Sequence, residues 1–308
     1  MNDVSGAQDP LSQWNEGEVK HAVLQFLSDI TDETSNVFVP PTERIAVFDN
    51  DGTLWCEKPL LTQLEFIKDQ FVHGQDHSQA HTHFSVFDRI QEQVESAIEH
   101  LANDVADVSK HLLAGVTVEQ YSQDVLDWIS QAKHPRFDCL YTKLCYSPMM
   151  EMLSLFRAFN FQCYIVSGGS TDFVRPWCES VYQVPTQNVI GSSLRTHLVE
   201  KSGKLILEYL PVPFYFDDGA AKVKSINRLI GKQPIAAFGN SSGDVQMLRW
   251  TKQAKRSIAC LIHHTDDVRE YKYSPDSLLH EGPSTLDLAK RYDWSVVDMK
   301  RDWREIFG

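Results

Sequence analysis

Ile45–Trp55, IAVFDNDGTLW, is an apolar run that stops at two acids one residue apart, with Gly52 and Thr53 behind them. A short run of this kind, rich in β-branched and aromatic residues, reads as a buried strand. Asp49 and Asp51 would then stand at the mouth of that strand. Three readings compete: a calcium loop, a polar turn, or a catalytic carboxylate pair with a metal. A calcium loop of the EF-hand type needs Gly at its sixth position and Glu at its twelfth. Counted from Asp49, those positions hold Leu54 and Leu60, so that reading fails. A polar turn uses the same residue types, and the choice between the other two falls to the rest of the chain.

Upstream, Val19, Ala22, Val23, Phe26, Leu27 and Ile30 follow helical spacing, and Pro40-Pro41 breaks the chain before the strand. Downstream, residues 60–146 read as all-helical. Ile90, Val94, Ile98, Leu101, Val105, Val108 and Leu112 recur at helical intervals, and Thr117 with Gln120 resembles a capping box opening a helix through Tyr121, Val125, Trp128 and Ile129. The rhythm then changes. Ser147-Pro148 opens a helix, Phe161–Val166 reads as a strand, and a helix follows through Phe173 and Trp177. Thr196–Phe216 suggests a β-hairpin turning at Ser202-Gly203. A helix over Val223, Ile226, Leu229 and Ile230, a strand at Ile235–Phe238, a further helix and a strand at Ser257–Ile262 complete the series. Strands alternating with helices predict an α/β fold, a three-layer Rossmann-like parallel sheet. Residues 1–59 and 147–308 form that core, and 60–146 are an inserted α-helical cap.

Composition narrows the function. Of 308 residues, 29 are basic and 42 acidic, a net charge of −13 that argues against general binding to nucleic acid or anionic membranes. An anionic ligand would need a local site. Cys56, Cys139, Cys145, Cys163, Cys178 and Cys260 show no C-x-x-C or zinc spacing and read as small core residues. No basic, apolar leader opens the chain, and no apolar run approaches the roughly 18 residues of a membrane span. The expectation is a cytoplasmic protein.

In an open parallel sheet, ligands bind beyond the carboxyl ends of the strands. The first predicted strand delivers Asp49, Asn50, Asp51, Gly52 and Thr53 there. Phe161–Val166 delivers Ser167, Gly168 and Gly169, and Ile235–Phe238 delivers Gly239 through Asp244. Lys222 opens the helix before that last strand, with Lys224 as a nearby competitor. Each part alone is ordinary turn or surface chemistry, but their conjunction is not.

In this conjunction the sequence resembles the haloacid dehalogenase-like (HAD) hydrolase superfamily, in its branch similar to phosphoserine phosphatase. The four motifs are Asp49-Asn50-Asp51-Gly52-Thr53, Ser167 in YIVSGG, Lys222 in GAAKVKSI, and Gly239-Asn240-Ser241-Ser242-Gly243-Asp244 before Met247-Leu248. The resemblance implies that Asp49 attacks phosphorus to form an aspartyl-phosphate and that Asp51 is the acid and base. It implies that Ser167, Gly168 and Lys222 hold the phosphoryl group. Mg²⁺ is expected on Asp49, the Asp51 carbonyl, Asn240 and Asp244. Asn240 departs from the family's usual Asp and removes one negative charge from the metal site. Asp51 speaks against dehalogenation, since a departing halide needs no proton. The expected partner is a small phosphorylated molecule, with no nucleic acid and no membrane. A phosphotransferase or mutase shares these motifs, and a non-catalytic Mg²⁺-dependent phosphate-binding module is the rival from another class.

Glu57 is a further candidate for reading substrate. His73, His77 and His81 lie four apart, as metal ligands on a helix would, yet HGQDHSQAHTHF lacks apolar periodicity and reads as a polar exposed loop. His263, His264, Asp266 and Asp267 read by default as a surface turn. Trp55, Tyr215 and Phe216 read as core or cap packing.

Overall fold

The structure is a computed structural model and describes residues 9–73, 113, 115–210, 212, 215–276 and 282–308. Most of the predicted repeat at 86–113 lies outside those residues, as do His77 and His81. Helix α1 (Glu18–Thr31) buries Val19, Val23, Phe26, Leu27 and Ile30, the face its spacing predicts. Strand β1 (Ile45–Phe48) is buried throughout. Helix α2 (Thr62–His73) and helix α3 (Val118–Ile129) follow, the latter capped by Thr117, whose side chain accepts from the Gln120 amide. Helix α4 (Ser147–Ala158) has Pro148 in its first turn, where a missing N–H costs nothing.

Strand β2 (Gln162–Ser170) then leads into helix α5 (Thr171–Tyr182), strand β3 (Val189–Ser192), and the hairpin β4 (Thr196–Lys201) with β5 (Lys204–Tyr209). Helix α6 (Ala220–Leu229), strand β6 (Ala236–Gly239), helix α7 (Val245–Lys252), strand β7 (Ile258–His263), helix α8 (Thr285–Arg291) and strand β8 (Ser295–Asp298) follow, and a short helix at Met299–Asp302 comes last.

Six strands form one sheet in the order β3-β2-β1-β6-β7-β8, every neighbouring pair parallel. Alternate strand residues feed two apolar layers. Ala46, Phe48, Ile165, Phe238 and Ile262 face one; Ile45, Val47, Val166, Ala237 and Leu261 face the other. This is a parallel sheet buried on both faces, which is why its strands read as unbroken apolar runs. Phe48 stacks on Phe238 at 4.6 Å between ring centres, across the β1–β6 pair. The chain leaves β1 for β2 on one side and reaches β6 on the other, so the crevice at the strand ends opens there.

Two short strands, β3 and β8, escaped the sequence reading. β3 has a consequence for the site. By pairing Ser167 with Gly191 and Ser170 with Ser192, it keeps Ser167-Gly168-Gly169 within an irregular continuation of β2 rather than in a turn. The hairpin ends at Tyr209, and Tyr215 and Phe216 are exposed rather than buried in the core. The Tyr215 ring lies beneath the Arg228 guanidinium instead. The six cysteines are unpaired. Among the described residues no helix is long and apolar enough to cross a membrane.

Candidate active site

The sheet itself aims Asp49. Its amide donates to the Phe238 carbonyl at 2.9 Å, extending the β1–β6 ladder by one residue. The chain then coils tightly, with the amides of Thr53 and Leu54 donating to the Asn50 carbonyl at 3.2 and 2.8 Å. Gly52 is held at φ +73°, and a Cβ there would lie 1.9 Å from Asn240 Nδ2. Position 52 therefore admits only glycine on two counts, conformation and space.

Lys222 stands between the carboxylates. Its Nζ donates to Asp49 Oδ1 at 2.6 Å, to Asp244 Oδ1 at 2.7 Å and to the Val166 carbonyl at 3.0 Å. All three ammonium protons are thereby engaged. The other oxygen of Asp244 accepts from the Asn240 and Ser241 amides at 3.0 and 3.1 Å. Lys222 is the lysine at the site; Lys224 takes no part in this network.

Burial lifts the Asp49 carboxyl well above the usual carboxylate range; Asp244 adds to the rise and Lys222 opposes it. Burial likewise raises Asp51, to about 6, against a 2.9 Å hydrogen bond from Trp55 Nε1 and with a further push from Glu57. For Lys222, burial favours the neutral amine, but Asp244, Asp49 and Asp218 outweigh it and raise its pKa.

The remaining candidates fall into place around this centre. Ser167 is buried, and its Oγ accepts from the Gly169 amide at 2.9 Å, which leaves the hydroxyl proton free to donate. Glu57 Oε1 accepts from Asn240 Nδ2 at 3.2 Å. A carboxylate only accepts, so this contact orients the Asn240 amide and turns its carbonyl oxygen the other way.

Several contributors were not singled out from sequence. Trp55 does pack, stacking on Trp177 at 4.6 Å, but its indole also holds Asp51. Tyr182 donates to Asn50 Oδ1 at 3.1 Å. Gln63 Oε1 accepts from the Ser170 amide at 2.7 Å, bringing α2 to the end of β2.

His264 is not in a surface turn. The chain beyond β7 folds back beneath the Asp49–Trp55 loop, and His264, 1% exposed, places Nε2 2.8 Å from the Gly52 carbonyl and Nδ1 3.1 Å from Glu270 Oε2. Glu270 also accepts from Tyr146 at 2.9 Å, the Cys56 thiol at 3.2 Å and the Tyr271 amide at 2.5 Å. Burial pushes its carboxyl up, but these bonds, His264 first among them, hold it below the usual range. His263 is half-buried; Asp266 folds onto Arg269 and Asp267 is exposed. His73 ends α2, and its side chain lies outside the described residues.

Whether a dication suits the site turns on its charge and donors. Asp49, Asp51, Asp218 and Asp244 gather about one lysine, so carboxylates outnumber the cation there. Among the described residues no three His, Cys, Asp or Glu side chains converge into a ready metal cage. Mg²⁺ does not require one, since it is often held by one or two carboxylates plus waters and phosphate oxygens. The oxygens of Asp49, the Asp51 carbonyl and the Asn240 amide fit that demand. Asp244, whose oxygens accept from Lys222 and two amides, adjoins them.

The family model of haloacid dehalogenase-like hydrolases matches residues 46–249, the span from β1 into α7. The chain belongs to this HAD family. Among solved structures, a functionally unknown protein from Anaerococcus prevotii DSM 20548 is 15% identical, with 90% of this chain and 100% of that chain covered, at a TM-score of 0.53. A protein of unknown function from Bordetella pertussis Tohama I is also 15% identical, over 83% of this chain and 99% of its own, at 0.52. A phosphoserine phosphohydrolase-like protein from Francisella tularensis subsp. tularensis SCHU S4 is 13% identical over 71% and 87%, at 0.40. No curated protein matches the sequence. The first two likenesses show the fold alone, and the family rests on the model match.

Proposed function

We propose that this HAD hydrolase cleaves a small phosphate monoester through an aspartyl-phosphate on Asp49. The observation that carries the reading is the pairing of two carboxylates with different environments. Asp49 is bonded to an ammonium through Oδ1, with its second oxygen making no hydrogen bond among the described residues. Asp51, without a cation in contact, is raised to about 6. One is poised to attack and the other to carry a proton near neutral pH.

Asp49 attacks phosphorus in line with the departing alkoxide. Asp51 gives that alkoxide its proton, and the resulting carboxylate then takes a proton from the water that cleaves the acyl phosphate. Ser167 donates its free hydroxyl proton to a phosphoryl oxygen, beside the Gly168 and Gly169 backbone. Lys222, with its protons spent on Asp49, Asp244 and Val166, contributes charge and orientation. Mg²⁺, when bound by Asp49, the Asp51 carbonyl and Asn240, with Asp244 bracing Lys222 behind, supplies the positive charge that lets an anionic nucleophile meet an anionic ester. Residues 60–146 serve as a cap that limits substrates to small molecules. Transfer to another acceptor uses the same residues, and sugar or alcohol acceptors added to the assay separate the two outcomes.

The test is hydrolysis of p-nitrophenyl phosphate by wild type and Asp49→Asn, each with Mg²⁺ and with EDTA. Turnover that needs the metal and vanishes in the variant is expected. Phosphate-induced thermal stabilisation of a folded protein without turnover would replace this reading with that of a binding module.

A further inference from the structure

Beside the Ser167–Ser170 segment lies a cavity of about 70 Å³ between α2, α3 and the start of α5. Its Gln63 and Ser170 edge adjoins the reaction centre. A Cβ on Gly169 would lie 3.2 Å from Gln63 Oε1, which lines the cavity, and 3.6 Å from Asp51 Oδ2, the proposed proton donor. The cavity is therefore a neighbour of the place where a leaving group protonated by Asp51 would stand.

The cavity walls have a definite chemistry. Phe66, Tyr121 and Tyr209 present aromatic rings, Phe66 and Tyr209 each standing nearly edge-on to Tyr121 at 5.7 Å. Among the described lining residues the charged ones are Asp124 and Asp172, both half-buried, and no cation pairs with either among the described residues. Asp172 Oδ2 accepts from the Tyr209 hydroxyl at 2.9 Å, while its other oxygen makes no hydrogen bond among the described residues. Tyr121 is 4% exposed, and its hydroxyl also makes no hydrogen bond among the described residues. Burial, then Asp172 and Asp124, push its pKa up, which places that hydroxyl in the field of both carboxylates.

We infer that this cavity takes the alcohol portion of the substrate and that this portion carries an ammonium group and no carboxylate. Aromatic faces and unpaired carboxylates attract a cation, and the described walls offer no base to meet an acid. This inference rests on the phosphatase reading and narrows it to phosphate esters of small amino alcohols.

The experiment compares kcat/KM for phosphoethanolamine and phosphocholine with that for glycerol 1-phosphate and phosphoserine, with p-nitrophenyl phosphate as the reporter of chemistry. Wild type is expected to favour the ammonium esters without a carboxylate by about 10-fold or more, the scale of one charge-assisted contact. Asp172→Asn, which keeps an acceptor for Tyr209, is expected to erase most of that ratio through KM. Asp124→Asn does the same to a smaller degree and serves if Asp172→Asn melts early. Turnover of p-nitrophenyl phosphate with no preference, or with preference for glycerol 1-phosphate or phosphoserine, overturns the inference and leaves the phosphatase standing. No hydrolysis of any ester overturns both.

Discussion

Two buried charged networks flank the loop from Asp49 to Trp55, and they are built on opposite terms. In front, Lys222 serves two carboxylates, Asp49 and Asp244, with Asp51 and Asp218 close by. Behind, His264 meets Glu270 one to one, and Glu270 is bonded by four donors in all. Both networks are almost free of solvent. The rear one is matched in hydrogen bonds, with partners for both His264 nitrogens and both Glu270 oxygens, as a buried pair must be to hold structure. The front one carries excess negative charge, a cost to folding that a cationic ligand or protonation relieves. The unbalanced network is where chemistry is expected, and the balanced one fixes the loop that serves it.

The comparison can be broken first at Lys222. Lys222→Met leaves two carboxylates facing each other, and p-nitrophenyl phosphate turnover is expected to fall by at least ~10³-fold, since members of a catalytic unit fail together. Its melting temperature should fall too, and Lys222→Met combined with Asp244→Asn should regain part of the melting temperature and none of the activity. Recovery of activity would mean that the lysine is structural.

Asp51→Asn separates function from stability. Loss of an acid and base lowers kcat by about 10²- to 10⁴-fold. In metal-free protein, however, the variant should be the more stable at neutral pH. The folded-state pKa of Asp51 is raised, to about 6 from an ordinary 3.8, so the folded protein holds that proton more tightly than the unfolded chain. Its favourable contribution is present below about pH 3.8 and lost as pH rises through about 6. The advantage of the variant should reach about 1–3 kcal/mol at pH 7.5 and close by pH 4, measured by urea unfolding in EDTA. A pH-independent difference would contradict this account.

The rear network should answer in the opposite currency. Glu270→Ala strands His264, Tyr146 and Cys56 without their acceptor and is expected to lower stability by about 3–5 kcal/mol. Among molecules still folded at low temperature, KM should change little.

The smallest expected effect probes Asn240. Asn240→Asp with Glu57→Gln restores the family's charge at the site while removing the carboxylate that would repel it. The half-saturating Mg²⁺ concentration should fall by up to ~10-fold, about 1.4 kcal/mol. An unchanged value would remove Asn240 from the metal site.

Much of this was legible before any coordinates. Three apolar runs, each ending in residues able to bind or react, and the start of the helix before the last of them placed Asp49, Asp51, Ser167, Lys222, Asn240 and Asp244 around one crevice, because a parallel sheet buried on both faces leaves an unmistakable trace in sequence. The α1 face and the Thr117 cap were equally plain, being local. Strands β3 and β8 were not: Val189–Ser192 and Ser295–Asp298 are no shorter than β1 but mix apolar with small or polar residues, and their neighbours supply the ladder.

What the tertiary structure alone decided are the contacts between segments far apart in the chain. Nothing near His264 announces Gly52, and nothing near Asp51 says that the indole of Trp55 turns back to hold it. Nothing in the sequence says that the Lys222 ammonium meets Asp49, Asp244 and the Val166 carbonyl together. The Gln63, Tyr121, Asp172 and Tyr209 walls of the cavity come from four separate elements, and no spacing in the sequence brings them together. Periodicity records which face of a segment is buried; it carries no record of what that face meets. The chemistry of the strand ends was therefore written in the sequence, and the shape and charge of the space beside them arose only from packing.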